Sequence, residues 1–371
     1  MFSAGESSGE QHAANMFVEL KRLLPDSKGI GMGGVKMQQA GIDVRFDSSA
    51  ISVIGLIEVL KHYGEIRQAL KLMCNLLISE KPDLLVCVDY KEFNLKLARF
   101  AKKQGVKVLF YVSPQVWAWR PGRVVNYGKA IDMMAVIFPF ETAYYEAENI
   151  PVKYVGHPSV DKVHPLRTRD EDIKHFSLKP DEPIIGILPG SRINEIKRIL
   201  PIMIGAAEKL ALQHDKVQFL LPQADTISDD LLMSYTQDSD INITIIKNEP
   251  YDVVQCCDAV MTTSGTATLE ISLLEIPMVI TYKLSLFTYL IGRLLLTTKF
   301  IGLPNIIAGK SIIKEFIQNE ATADNLAKEI NLIFQNKAYK QQMLVELGKV
   351  KEKLGQGGSS GKMAKLALQL L

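Results

Sequence analysis

The chain has 371 residues, of which 47% are hydrophobic and 23% charged, with a formal net charge of +2. That length exceeds what one core usually supports and predicts two domains; the near-neutral balance excludes a bulk nucleic-acid binder and leaves room only for local basic patches. Cys74, Cys87, Cys256 and Cys257 have no metal-ligand spacing, which favours a reducing, cytoplasmic setting without a metal centre, and no signal-peptide pattern or apolar run of membrane-spanning length is read.

The first residues, Met1-Phe-Ser-Ala-Gly-Glu-Ser-Ser-Gly9, read as a strand shorter than the usual five or six residues. A loop carrying Glu6, Ser7 and Ser8 follows, suited to a hydroxyl-rich or anionic ligand, and then a helix over 10–24. Gly29-Ile-Gly-Met-Gly-Gly34 fits the dinucleotide fingerprint by letter, with Asp47 downstream. No substantial strand precedes it, so it reads as a glycine loop before a helix at 35–40. Residues 52–62 are unusually apolar. Val53, Ile54, Leu56, Ile57 and Leu60 form either a buried helix face or a patch for a membrane surface or acyl chain, rimmed by Lys61, His62, Arg67 and Lys71.

The continuous apolar run before Asp89 is a strand buried on both faces. An acid just past such a strand lies where open α/β sheets bind ligands. Asp89 is therefore the first candidate general base, the alternative being an N-cap of the helix at 92–104. After a strand at 106–112, the loop 113–123 concentrates Trp117, Trp119, Arg120 and Arg123, an aromatic and cationic set suited to sugar faces and phosphates. Strands at 133–138 and 152–155 complete the first half, and His157 follows in a turn. The charged, proline-marked stretch 163–172 reads as a linker. It divides a domain at 1–165 from one at 166–345, with a helical segment at 346–371 returning to pack on the first.

The second half restarts the alternation, with strands at 183–188, 216–221, 242–246, 258–262 and 277–282. The simplest architecture is α/β, with two Rossmann-like doubly wound domains facing across a cleft. Leu188-Pro-Gly-Ser-Arg192 turns a strand into a helix. Gly190 admits close backbone approach, Ser191 can donate, and Arg192 offers a fork for phosphate oxygens; alone, the stretch is equally an ordinary helix cap. Thr263-Ser-Gly-Thr-Ala267 repeats the device with Ser264, Gly265, Thr266 and Ala267, and Glu270 lies one turn on, positioned for a ribose diol. Two such cradles in one domain suit a nucleotide diphosphate, with Gln223 available to the base. The apolar run at 285–296, containing Leu286 and Phe287, is too short to span a bilayer but long enough to lie on one. Asn305 in Leu303-Pro-Asn305 reads as a ligand contact.

Taken in order, several stretches resemble the lipid-A-disaccharide synthase family: Ser3-Ala-Gly-Glu-Ser-Ser-Gly9, Gly31-Met-Gly-Gly34, Ser52-Val-Ile-Gly55 and Phe93-Asn94 after Asp89. So do Tyr111-Val-Ser-Pro-Gln-Val-Trp-Ala-Trp-Arg120, Gly156-His157, Leu188-Pro-Gly-Ser-Arg192 with Glu195, Thr263-Ser-Gly-Thr-Ala267 with Glu270, and Leu303-Pro-Asn305. The resemblance implies an inverting hexosyltransferase of the two-Rossmann GT-B type, without a cofactor. It would join UDP-2,3-diacylglucosamine to 2,3-diacylglucosamine 1-phosphate (lipid X), giving the β-1,6-linked lipid A disaccharide 1-phosphate and UDP. It further implies Asp89 as base, Glu6 as a second candidate, and Arg192, Ser191 and the N–H groups at 264–267 on the diphosphate. Ser7, Ser8, Asn94, Trp117, Arg120, His157 and Asn305 would serve the acceptor and sugar. Peripheral attachment to the cytoplasmic face of the inner membrane and a homodimer with exchanged C-terminal elements are also implied. The chain departs from the family pattern at Glu10-Gln11, at Lys91 where proline is usual, and in its short first strand. A soluble UDP-sugar epimerase and a non-catalytic nucleotide-sugar sensor are the rival readings.

Overall fold

Short apolar runs punctuated by glycine and polar turns become strands, and the amphipathic stretches between them become covering helices. In the computed structural model, which describes residues 1–51, 62–119, 122–285, 289 and 298–371, this alternation builds two units. They comprise Met1–Asp161 with Gln356–Leu371, and Lys162–Gly355. Val53, Ile54, Leu56, Ile57, Leu60, Arg120, Leu286 and Phe287 lie outside the described residues, and Ser7 is described in its backbone only.

The first unit holds a seven-stranded sheet. Its strands are β1 (Phe2–Ala4), β2 (Gly29–Gly33), β3 (Ile42–Asp47), β4 (Leu84–Val88), β5 (Lys107–Tyr111), β6 (Met133–Val136) and β7 (Val152–Tyr154). Their order is β3-β2-β1-β4-β5-β6-β7 and every pairing is parallel. Parallel strands are covered on both faces, and here two apolar clusters do so. One gathers Met73, Leu77, Phe110 and Tyr127; the other gathers Phe2, Met16, Phe17 and, from the C-terminal helix Ser359–Leu370, Met363 and Leu366. Each large side chain so buried contributes roughly 1.5–3 kcal/mol. The C-terminal helix packs along the Ser7–Leu23 helix. Asp161 caps it, accepting from Ser359 N (3.0 Å) and Ser359 Oγ (2.8 Å).

The second unit holds a six-stranded sheet, ordered β10-β9-β8-β11-β12-β13. These strands are β8 (Ile184–Leu188), β9 (Gln218–Gln223), β10 (Ile243–Lys247), β11 (Ala259–Thr263), β12 (Met278–Tyr282) and β13 (Glu315–Ile317). All are parallel, over one core that includes Ile187, Leu200, Phe219, Val260 and Ile330. Each unit is thus a Rossmann-like doubly wound fold.

Several expectations need correction. The glycines at 29, 31 and 33 lie in a strand, β2, and not a loop, and Gly34 is the N-cap of the next helix. A Cβ at Gly31 would lie 1.9 Å from the Phe2 carbonyl oxygen, so glycine there permits close packing of β2 on β1. The first helix begins at Ser7, earlier than expected. The chain passes between the units at 161/162 and 355/356, not at 165/166 and 345/346. The later expected break falls inside the Lys337–Leu354 helix, whose Met343 and Leu347 belong to the second core.

Candidate active site

Both sheets reverse their strand order beside the first strand of the unit, between β1 and β4 and between β8 and β11. In open α/β sheets the crevice outside the carboxyl ends at such a switch point is where ligands bind. Asp89 and the Glu6 loop lie at the first switch point. Gly190, Arg192 and Thr263 lie at the second.

Asp89 is 7% exposed, and its Oδ1 is buried with no hydrogen-bond partner. It does not cap the following helix, Lys91–Lys103, whose N-cap is Tyr90. Asp89 and Tyr90 are both left-handed, with φ of 44° and 40°, and Val112 at the end of the neighbouring strand has φ of 67°. Non-glycine residues held there cost on the order of 1–3 kcal/mol each and cluster at functional sites. The carboxylate lies against the start of the Ser7–Leu23 helix, where a Cβ on Gly9 would come 2.3 Å from Asp89 Oδ2. Burial, reinforced by the charge of Glu6, pushes the Asp89 pKa up to about 8; the N–H groups of Tyr90 and Gly9 and the Lys91 ammonium oppose this in part. Burial likewise lowers the Lys91 pKa, while Glu6, Asp89 and Glu141 act to hold its charge. Glu6 itself is the exposed N-cap residue of the first helix, and Ser8 is exposed beside it. Glu10, the departure from the family pattern, accepts the Lys36 N–H at 2.5 Å and so caps a neighbouring helix, away from Asp89.

Four expected ligand contacts are engaged inside the protein. Asn94 is 0% exposed. It accepts from Ser3 Oγ (2.6 Å) and donates to the carbonyls of Ser3 (3.1 Å), Val88 (3.2 Å) and Asp89 (2.9 Å). Trp117 is 8% exposed, edge-on to Phe138 and Phe140, with its indole N–H given to Glu141 Oε1 at 3.1 Å. It anchors the loop from within and does not offer an open face. Trp119 carries the cationic contact instead, with the Arg123 guanidinium 5.4 Å from its ring centre. Asn305, also 0% exposed, donates to Ile313 O (2.8 Å) and Glu315 Oε1 (2.7 Å) and accepts from Ile312 N (2.8 Å) and Ile313 N (3.0 Å). Both asparagines are internal braces. His157 is buried beside Phe138 and accepts the Ser159 N–H on Nδ1, and burial lowers its pKa to about 4. It is a neutral imidazole.

Glu141 went unnoticed in the sequence. It is buried, receives both Trp117 Nε1 and Phe138 N, and burial pushes its pKa up to about 7. Its only sequence signal is an acid following Phe138-Pro-Phe140.

The second switch point is open by comparison. Gly190 has φ of 110°, and a Cβ there would come 2.4 Å from Glu195 Oε2 and 3.1 Å from Thr263 Cγ2, so the two cradles adjoin. Arg192 is the N-cap residue of the Ile193–Ala211 helix. Its side chain is 66% exposed and lies 3.0 Å from Glu195 Oε1, and Ser191 N lies 3.3 Å from Glu195 Oε2. Thr263 Oγ1 is buried without a partner at the end of β11, just before the Thr266–Leu273 helix, whose first N–H groups have no intrahelical acceptor. Ser264 donates its hydroxyl to Ile301 O (2.8 Å), leaving only its backbone N–H to donate to a ligand. Glu270 is held by Tyr251 OH (3.2 Å) and approached by Lys162 Nζ (3.7 Å). Gln223 donates to Ile227 O (2.7 Å) and Asp229 Oδ1 (2.8 Å), which leaves its Oε1 buried and unpartnered. It borders a hollow of about 220 Å³ with Asp225, Lys247 and Asn248. Among the described residues, no group of three or more His, Cys, Asp or Glu side chains is placed to hold a metal ion.

Two parallel α/β units, each with a switch point beside its first strand, define the two-Rossmann fold class. S. aureus MnaA, solved with UDP, shares the fold at a TM-score of 0.63 and 12% identity, covering 100% of this chain and 96% of that one. The sequence narrows the class. A model of the lipid-A-disaccharide synthetase family matches residues 1–369. The lipid-A-disaccharide synthase of Geobacter sulfurreducens is 43% identical over 371 residues, covering 100% of this chain and 97% of the relative. That of Nitrosococcus oceani is 42% identical over 368 residues, with coverage of 99% and 95%. The chain belongs to the lipid-A-disaccharide synthase family.

Proposed function

We propose that the two switch points divide the labour of one inverting glycosyl transfer. As a member of its family the chain is a hexosyltransferase that makes the lipid A disaccharide; the epimerase reading is not favoured by relatives of this identity. In the finer reading, the donor is UDP-2,3-diacylglucosamine and the acceptor is 2,3-diacylglucosamine 1-phosphate. The Asp89 carboxylate takes the proton of the acceptor 6-hydroxyl as its oxygen attacks C1 of the donor sugar. The C1–O bond to the diphosphate breaks on the opposite face, and its electron pair leaves with UDP. Arg192, the Ser191 N–H and the N–H groups at 264–267 stabilise the departing charge. Thr263 Oγ1 adds a donor, Gln223 Oε1 accepts from the uracil N–H, and Glu270 holds the ribose. Glu195, which engages Ser191 and Arg192 in the free chain, yields these donors to the diphosphate.

Asp89 carries the reading: a buried carboxylate with one unpaired oxygen and a pKa near 8 is costly for the fold and suited to moving a proton near neutral pH. The test is the pH dependence of kcat/KM with both lipid substrates, with products identified by mass spectrometry. The rate is expected to climb through an acid limb near the Asp89 pKa. A profile flat from about pH 6 to about pH 9 would remove Asp89 as the base.

The acyl chains of both substrates make the apolar stretches at 53–60 and 284–297 a reasonable membrane contact. Among the described residues no helix is long and apolar enough to cross a membrane. Flotation with liposomes should weaken in Ile57→Glu and Leu286→Glu, and parental flotation would end the idea. The homodimer with exchanged C-terminal elements is open to sedimentation analysis, where a monomer at working concentration would reject it.

A further inference from the structure

We infer that Asn94 is a positioning residue for the reaction, holding the left-handed turn that presents the Asp89 carboxylate. The inference rests on the reading of Asp89 as the base. Its ground is the backbone geometry where β1 and β4 part. The last paired residues of the two strands are Ala4 and Val88. Beyond them β1 turns away into the Glu6 loop, and β4 loses its neighbour on that side. The carbonyls of Val88 and Asp89 would then be buried without partners, a state that folded proteins avoid.

Asn94, in the first turn of the Lys91–Lys103 helix, fills the gap. Its amide nitrogen meets the carbonyls of Asp89 (2.9 Å), Val88 (3.2 Å) and Ser3 (3.1 Å), and Ser3 Oγ donates to its Oδ1 at 2.6 Å. The carbonyls, which only accept, fix the NH2 end of the amide toward them, and the Ser3 hydroxyl donates to the other end. On its other side Asp89 gives its own N–H to Tyr111 O at 3.1 Å. Both backbone groups of Asp89 are therefore held, one by β5 and one by Asn94. Two successive left-handed non-glycine residues, Asp89 and Tyr90, relax unless their surroundings over-determine them. Asn94 supplies that constraint and ties both halves of the switch point together. It touches neither the carboxylate nor, being wholly buried, any substrate, so it acts only through Asp89.

This role has a signature that loss of stability alone lacks. Without the brace the turn relaxes, and the carboxylate leaves its dry seat against Gly9. Misplacement of a reacting group by about 1 Å can cost on the order of 10²-fold in rate. Better solvation also returns the carboxylate toward the ordinary range, so the acid limb moves to lower pH.

The experiment compares Asn94→Ala, Asn94→Ser, Ser3→Ala and Asp89→Asn in full-length protein, with folding checked by circular dichroism and kinetics measured across pH. In Asn94→Ala kcat is expected to fall on the order of 10²-fold, with both KM values within about threefold of the parent and the acid limb displaced downward. Asn94→Ser and Ser3→Ala should move the same way by less. A folded Asn94 variant with parental kcat and acid limb would overturn the inference. If neither Asn94 variant folds, Ser3→Ala decides, a downward limb supporting the role and a parental limb rejecting it. Parental turnover by Asp89→Asn would instead overturn the base assignment itself. An inactive Asp89→Asn beside parental Asn94 variants would sink only the role of Asn94.

Discussion

The two switch points share one topology and differ in burial and backbone conformation. At β1/β4 the acid is buried, its backbone is left-handed, and its pKa is displaced upward by burial. At β8/β11 the arginine is mostly exposed, and glycine takes the positive φ. A base must be held in an unfavourable protonation state, which requires desolvation and a rigid frame. A diphosphate arrives already charged and needs only donors pointing outward, which helix N-termini and an arginine provide at little cost. Under the proposed division of labour, strain and desolvation mark the reacting end, and exposure marks the binding end.

That contrast can be broken by variants at either end. Among the effects on UDP binding, the largest is expected at Arg192. Loss of a charge-assisted contact worth about 1.5–3 kcal/mol should weaken UDP binding by Arg192→Ala by about ten- to a hundredfold, read by titration calorimetry, with the acid limb unmoved. A shifted limb would mean that the two ends are not separable.

Smaller and of opposite sign are the effects of the charges around Asp89. Glu6 raises its pKa and Lys91 lowers it. Glu6→Gln should then displace the acid limb of kcat/KM to lower pH, and Lys91→Met to higher pH. Displacement of both in one direction would contradict the electrostatic picture. In stability the sign follows from the same shift. With a folded pKa above the unfolded one, protonated Asp89 favours the native state. Its contribution is lost as pH rises from about 4 towards about 8. Denaturant titrations of the parent and Asp89→Asn should diverge across that window and run parallel above it.

The smallest expected effect is at Thr263. Thr263→Val should weaken UDP binding by roughly two- to tenfold, the value of one net hydrogen bond. Stability should hold or rise slightly, because an unpaired buried hydroxyl is removed. A marked loss of stability would show that Thr263 Oγ1 has a structural partner.

Much of this was legible in the sequence because it depends on local pattern. The apolar run 84–88 ending in an acid, and the strand-to-helix turns at 188–192 and 263–267, declare themselves within a few residues. The failures have one physical origin, the long-range partner. Asn94 and Asn305 look like exposed polar contacts until the structure supplies Ser3, 91 residues away, or Glu315 across a turn. Trp117 looks like a platform until Glu141 and two phenylalanines enclose it. The glycines of β2 look like a loop because nothing local says that β1 lies against Gly31. A polar residue in a sequence announces hydrogen-bonding capacity; only the fold says whether that capacity is already spent.

The division of labour is tested most directly by Asp89→Asn, with UDP affinity and turnover measured on the same sample. UDP should bind as to the parent while transfer of the acyl-glucosamine falls by about 10²–10⁴-fold, the usual worth of a general base. Turnover at the parental rate, or a loss of UDP binding in proportion to the loss of turnover, would contradict the assignment of the base to one switch point and the leaving group to the other.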